Sequence, residues 1–171
     1  WAKLNNLKQA AKTMNFLTEH GISSYGELEG KLSTVSARRD TVHAEIKRIE
    51  SRNAELVLVM KHATTYRQLK PIYDRYRKSG DKEKFLRGHE SEIILFEAAA
   101  RELKRLGAVP LPITESMKTE LAKLNAEKER LLTEYKTART EAQKYDTVKQ
   151  NVDALLAVPK EQEQQRRHEL E

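Results

Sequence analysis

The stretch LEGKLSTVSARRDTVHAEIKRIESRNAELVLVMKHA, residues 28–63, decides the fold. Its apolar residues return at alternating steps of four and three, which is the spacing of a heptad seam. The seam positions are Leu28, Leu32, Val35, Arg39, Val42, Ile46, Ile49, Asn53, Leu56, Met60 and Ala63. Two of them, Arg39 and Asn53, are polar, and polar seam residues fix the register of a coiled coil at a cost in stability. The stretch therefore predicts a long helix that packs along its seam.

A second seam with the same spacing lies near the end of the chain. Its positions are Met117, Leu121, Leu124, Lys128, Leu131, Tyr135, Ala138, Ala142, Tyr145, Lys149, Val152 and Leu156. Because a long amphipathic helix is marginal until its apolar face is covered, the two seams are expected to cover each other. Whether they pair within one chain or between two chains is left open by the sequence.

Shorter helices are predicted on either side of the first seam. At the start of the chain, one apolar stripe is formed by Trp1, Leu4, Leu7, Ala11, Met14 and Leu17, and Gly21 ends that helix. A third major helix is predicted from Lys82 to Leu106, with Asp81 as its cap. Pro71 is expected to kink or end the helix that precedes it, because proline lacks the backbone donor and crowds the preceding turn.

The predicted fold class is all-α. We expect a long antiparallel coiled-coil-like helical hairpin that thickens into a three- or four-helix bundle near residues 56–60. Residues 1–158 are expected to form a single elongated helical domain that is a segment of a longer protein. Residues 159–171 are predicted to be a loose charged tail, since they carry few apolar side chains. The final Leu-Glu of this tail is interpreted as a cloning scar.

Composition excludes several functions. The chain contains no cysteine, which removes disulfides and cysteine-based metal sites. None of the five histidines has a metal-ligand spacing, and no phosphate loop or nucleophile elbow is present. No apolar run reaches the roughly 18 residues of a membrane span. We therefore expect no enzyme activity in this segment, no cofactor, no metal and no membrane partner.

One segment, residues 61–90, concentrates basic and aromatic side chains. It holds nine Lys or Arg against four Asp or Glu, a balance of +5, while the whole chain carries only +6. The candidate phosphate contacts are Lys61, Arg67, Lys70, Arg75, Arg77, Lys78, Lys82, Lys84 and Arg87. Tyr66, Tyr73 and Tyr76 are candidates for stacking on unpaired bases. The open alternatives are that the rings pack in the core and that the cations are simply solvated.

Three stretches taken together resemble a known family. They are WAKLNNLKQAAKTMNFLTEHGISSYGEL (1–28), YRKSGDKEKFLRGHESEIILFEAAARELKRLG (76–107) and LNAEKERLLTEYKTARTEAQKYDTVKQNVDALL (124–156). They are similar to the C-terminal helical region of relaxases, the mobilisation nucleases of conjugative and mobilisable elements of Gram-positive gut bacteria. The nicking tyrosine and metal-binding histidines of that family belong to its N-terminal nuclease domain, and no residue here matches them.

The resemblance implies a bacterial, cytoplasmic, non-catalytic accessory domain that binds or positions transfer-origin DNA during plasmid or transposon mobilisation. The strand state of that DNA, single-stranded or duplex, is left open. The alternative is a coiled-coil interaction domain that recruits relaxosome proteins or the coupling protein, or that forms a homodimer. The polar seam residues Arg39 and Asn53 are the feature that favours this alternative.

Overall fold

The chain is described here from a computed structural model that covers the backbone of residues 2–168 and the side chains of residues 6–157. Within that part of the chain there are four α-helices and no strands. They are α1 (Ala2–Glu19), α2 (Tyr25–Lys78), α3 (Lys82–Arg105) and α4 (Thr114–His168). The predicted all-α fold class is confirmed. None of the described helices has an apolar stretch long enough to cross a membrane.

The tertiary contacts form two compact units. The first consists of Trp1–Glu45 and Leu131–Glu171, and the second of Ile46–Arg130. The helices α2 and α4 each contribute one part to each unit, whereas α1 belongs to the first and α3 to the second. The predicted single domain over 1–158 and the loose tail over 159–171 stay predictions. The backbone of α4 continues as a helix to His168, and the side chains beyond residue 157 lie outside the described residues.

In the second unit, α2, α3 and α4 share one core. Leu56, Val59 and Ala63 of α2 pack with Leu103 of α3 and Met117 of α4. Beside this core, Asn53 donates from Nδ2 to Asn125 Oδ1 at 2.8 Å, and Glu50 accepts from Lys128 Nζ at 2.9 Å. The bundle therefore thickens near residues 56–60, where the sequence predicted it, because α3 covers a face of α2 that α4 leaves free.

In the first unit, α1 takes the place that α3 has in the second. Ile22, Leu28, Tyr145 and Val148 form its buried cluster, and Phe16 of α1 meets Tyr145 edge to face at 5.1 Å. The seams of α2 and α4 cover each other within one chain in both units, since every described seam residue except Leu156 is buried or half-buried. Leu156 is 55% exposed, so the packed part of the α4 seam ends at Val152.

The buried face of α1 differs from the predicted stripe. Leu7 and Met14 are 67% and 59% exposed, whereas Thr13 is buried at 2%. Trp1 and Leu4 of that stripe lie outside the described side chains. Thr13 turns inward because its Oγ1 accepts a hydrogen bond from Asn151 Nδ2 of α4 at 3.1 Å, which satisfies the buried hydroxyl.

Pro71 does not end its helix, since α2 runs through it to Lys78. A proline in a helix interior costs about 3 kcal/mol, so its neighbours must hold the helix together. Tyr66 and Tyr73, on either side of Pro71, both stack on Phe96 of α3, with ring centroids 4.7 and 4.2 Å apart. Each such pair contributes about 0.5–1.5 kcal/mol beyond its burial, which offsets part of the cost.

The other boundaries follow local chemistry. Gly21 and Gly107 adopt φ of +60° and +67°, the left-handed conformation that glycine supplies after α1 and α3. Glu27 caps α2, accepting from the Ser23 backbone N–H at 2.8 Å, and this contact lowers the pKa of the Glu27 carboxyl. The predicted capping role of Asp81 is confirmed, because its Oδ1 accepts from the Lys84 backbone N–H at 2.9 Å.

A polar contact closes the first unit near the start of α2. The Tyr25 hydroxyl donates to Asp153 Oδ1 at 2.5 Å, and Lys149 Nζ lies 3.0 Å from Asp153 Oδ2. The hydrogen bond from Tyr25 is the largest cause that lowers the pKa of Asp153, followed by the one from Lys149. Since the folded pKa is depressed, this stabilisation is present above the ordinary carboxyl pKa and is lost as pH falls through the lowered value.

Replacing Tyr25→Phe should therefore raise the pKa of Asp153 towards the ordinary value near 3.8. Carbon-13 NMR titration of the side-chain carboxyls measures the change directly. The matched control is Tyr76→Phe, which removes a hydroxyl from the other unit and should leave the titration of Asp153 unaltered. An unchanged Asp153 pKa in Tyr25→Phe would contradict this contact.

Candidate nucleic-acid interface

The turn between α2 and α3 organises the basic segment. It consists of Ser79, Gly80 and Asp81, and the Ser79 hydroxyl donates to the Asp81 carbonyl at 3.0 Å. The last turn of α2 carries Arg75, Arg77 and Lys78, and the first two turns of α3 carry Lys82, Lys84 and Arg87. The turn thus brings two cationic helix ends together, with only Asp81 and Glu83 as acidic residues between positions 75 and 87.

All nine predicted cations are exposed, but they differ in what they contact. Five at the turn make no ion pair and no side-chain hydrogen bond with the residues whose side chains are described. They are Arg75, whose guanidinium lies over the Phe85 ring, and four with no ring contact: Arg77, Lys78, Lys82 and Lys84. Lys61, which lies earlier in α2, also makes no ion pair and no side-chain hydrogen bond with the described side chains. Arg87 lies 3.9 Å from Glu83, and both side chains are more than four-fifths exposed, so this pair is weak. The four turn cations with no ring contact, named here the turn cluster, are therefore free to meet an anion.

Arg67 and Lys70 are committed to internal contacts. Arg67 donates from Nη2 to the Pro112 carbonyl at 2.6 Å and from Nη1 to Thr114 Oγ1, which ties the loop before α4 to α2. Lys70 donates to Asp74 Oδ2 at 2.8 Å, and that hydrogen bond raises the pKa of the ammonium. The structure thus separates these two residues from the turn cluster, because a phosphate would have to displace an existing partner.

The three candidate stacking rings are half-buried and packed on each other and on α3. Tyr66 and Tyr73 each place a ring face on Phe96, as described above. Tyr76 lies tilted between Tyr73 at 6.1 Å and Phe85 at 6.3 Å. In the structure these rings pack on one another and on α3, and their stacking on unpaired bases stays a prediction. The contact between Tyr76 of α2 and Phe85 of α3 joins the two helices next to the basic turn.

Two further residues lie beside the turn cluster: Gly88, which the sequence did not single out, and His89, which the sequence offered only as a histidine without a metal-ligand spacing. Gly88 and His89 line a surface pocket of 360 Å³ together with Arg75, Lys84, Phe85, Asp81 and Ser79. The backbone leaves the helical conformation at His89, with φ −141° and ψ 24°. The four-residue spacing of Phe85 and His89 could have indicated from the sequence that their side chains lie together on one face of the helix. Their ring centroids are 4.6 Å apart.

Within the described residues, no group of three or more His, Asp or Glu side chains is placed to hold a metal ion. His89 Nδ1 lies 3.5 Å from Glu92 Oε1, but the nitrogen is buried and makes no hydrogen bond. Comparison of the chain with protein families, with curated proteins and with solved structures finds no match in any of the three.

Proposed function

We propose that this chain is a non-catalytic accessory domain of a conjugative relaxase, which binds or positions transfer-origin DNA in the bacterial cytoplasm. The resemblance of three stretches to the C-terminal helical region of relaxases supports the family. The observation that carries DNA binding is the turn cluster, since Arg77, Lys78, Lys82 and Lys84 are exposed, close in sequence and free of carboxylate partners. In this proposal the nicking residues belong to a nuclease domain elsewhere in the parent protein.

The proposed contact is with phosphates rather than with bases. A lysine or arginine that neutralises a phosphate releases a counterion, which supplies affinity without sequence preference. Tyr66 and Tyr73 already use ring faces on Phe96, so they are poorly placed as a stacking platform for unpaired bases. We therefore expect duplex and single-stranded DNA of equal length to bind with affinities of the same order.

Binding should weaken steeply with salt. With four to six phosphates contacted, the plot of log affinity against log salt concentration should have a slope of about −4 to −5 on duplex DNA. Fluorescence anisotropy with a labelled duplex, from low to physiological salt, measures this slope, and unlabelled duplex serves as the competitor control. Absence of binding even at low salt would overturn the proposed function.

A protein-interaction domain is the second candidate. Ile94 and Leu95 of α3 are each 54% exposed, and adjacent exposed apolar residues are a feature of docking surfaces. They would serve a relaxosome or coupling-protein partner. The polar seam residue Asn53 supports this candidate less than the sequence suggested, because its Nδ2 donates to Asn125 of the same chain, although its buried Oδ1 makes no hydrogen bond. A homodimer through the seams is therefore not needed to cover them.

A further inference from the structure

We infer that the pocket lined by Arg75, Lys84, Phe85, Gly88 and His89 is a seat for one phosphate group. The inference rests on the proposed function and deepens it, because it assigns one phosphate to a defined pocket rather than to the exposed cationic surface as a whole. At 360 Å³ the pocket lies at the lower end of the range of about 300–1,000 Å³ that small ligands occupy. It is large enough for a phosphate with part of its sugar.

Arg75 is the principal ligand. Its guanidinium lies over the Phe85 ring, with Cζ 5.8 Å from the ring centroid. The ring holds one face of the guanidinium by a cation–π contact, and no described carboxylate or carbonyl takes any of its donors. A planar guanidinium fixed in this way presents paired N–H donors that match two oxygens of a phosphate.

Lys84 supplies the second charge from the opposite helix. It belongs to the turn cluster and lines the pocket four residues before Gly88, one turn earlier on α3. The acidic residue of the pocket, Asp81, is already engaged, because its Oδ1 accepts from the Lys84 backbone N–H. Ser79 is engaged as well, since its hydroxyl donates to the Asp81 carbonyl. The pocket is therefore lined by two cations, Arg75 and Lys84, and by one carboxylate, Asp81, that already caps α3. This excess of positive charge favours binding of an anion.

Gly88 keeps the pocket open. A Cβ atom built on this residue meets no heavy atom within 4 Å, so the space beside it is empty. Its φ is not in the left-handed region, so a larger residue is conformationally permitted there. A helical glycine costs about 1 kcal/mol relative to alanine, and nothing in the packing of α3 requires one here. A side chain placed at this position would therefore extend into the pocket without meeting the protein.

The test fills the pocket without changing the charge of the surface. Gly88→Leu places an apolar side chain in the empty space, and Gly30→Leu in α2 is the matched control, because a Cβ atom built there also meets no heavy atom within 4 Å and Gly30 does not line this pocket. Both substitutions raise helix propensity, so circular dichroism should show folded protein in each case. We expect Gly88→Leu to lower the affinity for duplex DNA about tenfold and to reduce the salt slope by about 1. Gly30→Leu should stay within about twofold of the unsubstituted chain.

The outcomes separate this inference from the proposed function. If the unsubstituted chain binds duplex and Gly88→Leu binds with equal affinity and slope, the seat is wrong and the diffuse surface remains. If the unsubstituted chain does not bind DNA, the proposed function fails. The seat is then judged by NMR titration with inorganic phosphate. Phosphate-induced amide shifts at Phe85 and His89 that are lost in Gly88→Leu sustain it, and their absence in the unsubstituted chain overturns it.

The source of the phosphate is settled by a pair of oligonucleotides that differ only at the 5′ end. Equal affinity of 5′-phosphorylated and 5′-hydroxyl strands, both weakened by Gly88→Leu, assigns the seat to an internal phosphodiester. Tighter binding of the phosphorylated strand that is lost in Gly88→Leu assigns it to a terminal monoester. If Gly88→Leu binds both strands as tightly as the unsubstituted chain does, the pocket holds neither an internal phosphodiester nor a terminal monoester, and the inference is wrong.

Discussion

Replacing Arg77, Lys78, Lys82 and Lys84 together with glutamate should lower the affinity for duplex DNA about a hundredfold or more at moderate salt. The substitution removes up to four phosphate contacts and adds four repulsive charges at the same place. The fold should persist, because all four side chains are exposed and none has a described partner. Glutamate is unfavourable in the last turn of α2 but favourable in the first turn of α3, so the helix-dipole effects oppose each other.

The matched control reverses four other exposed cations: Lys8, Lys123, Lys136 and Arg139. It changes the net charge by the same amount but leaves the turn cluster intact. This variant should keep most of the affinity. If the two variants lose affinity equally, binding reflects the net charge of the chain, and the assignment of the interface to the turn is wrong. Circular dichroism of both variants checks that the helices are retained.

The largest expected effect on stability is that of Leu103→Ala. Leu103 is 1% exposed and packs in the core that joins α3 to Leu56, Val59, Ala63 and Met117. Removing a buried leucine side chain loses its transfer free energy and leaves a cavity, so the free energy of unfolding should fall by about 2–5 kcal/mol. Urea unfolding followed by circular dichroism measures the change.

Leu95→Ala is the control for this prediction. Leu95 lies two turns before Leu103 on the same helix but is 54% exposed. Its replacement should alter the free energy of unfolding by no more than about 0.5 kcal/mol. Equal losses in the two variants would mean that the face of α3 carrying Leu103 is not the one that packs on α2 and α4.

The parts of the fold that the sequence predicted are those set by a sustained period. The 4,3 spacing in α2 and α4 identifies the buried positions, because only one face of each helix meets the other. The boundaries at Gly21, Asp81 and Gly107 follow from local backbone and capping chemistry. The pairing of the seams within one chain needed the structure, since the same pattern would suit two chains equally.

Features that depend on contacts between residues far apart in the sequence were not predicted. Thr13 is buried in place of Met14 because Asn151 provides its hydrogen bond, and the two are 138 positions apart. The sequence left open whether Pro71 kinks or ends its helix; α2 runs through it, and Phe96 of α3 packs on the tyrosines on both of its sides. In the candidate site, the concentration of charge was evident from the sequence. The engagement of Arg67 by Pro112, 45 positions away, was not.

The two-unit organisation has a consequence for the order of folding. The long-range polar contacts described in the second unit join residues fewer than about 80 positions apart, such as Asn53 with Asn125 and Glu50 with Lys128. Those of the first unit span 128 positions between Tyr25 and Asp153. Closing a long loop is slow, so contacts of low sequence separation are expected to form earlier. Once Glu50 and Lys128 meet at 2.9 Å, the chain left to close between Tyr25 and Asp153 shortens to about 50 residues. We therefore expect the second unit, which carries the basic turn, to form before the contacts that join the ends of the chain.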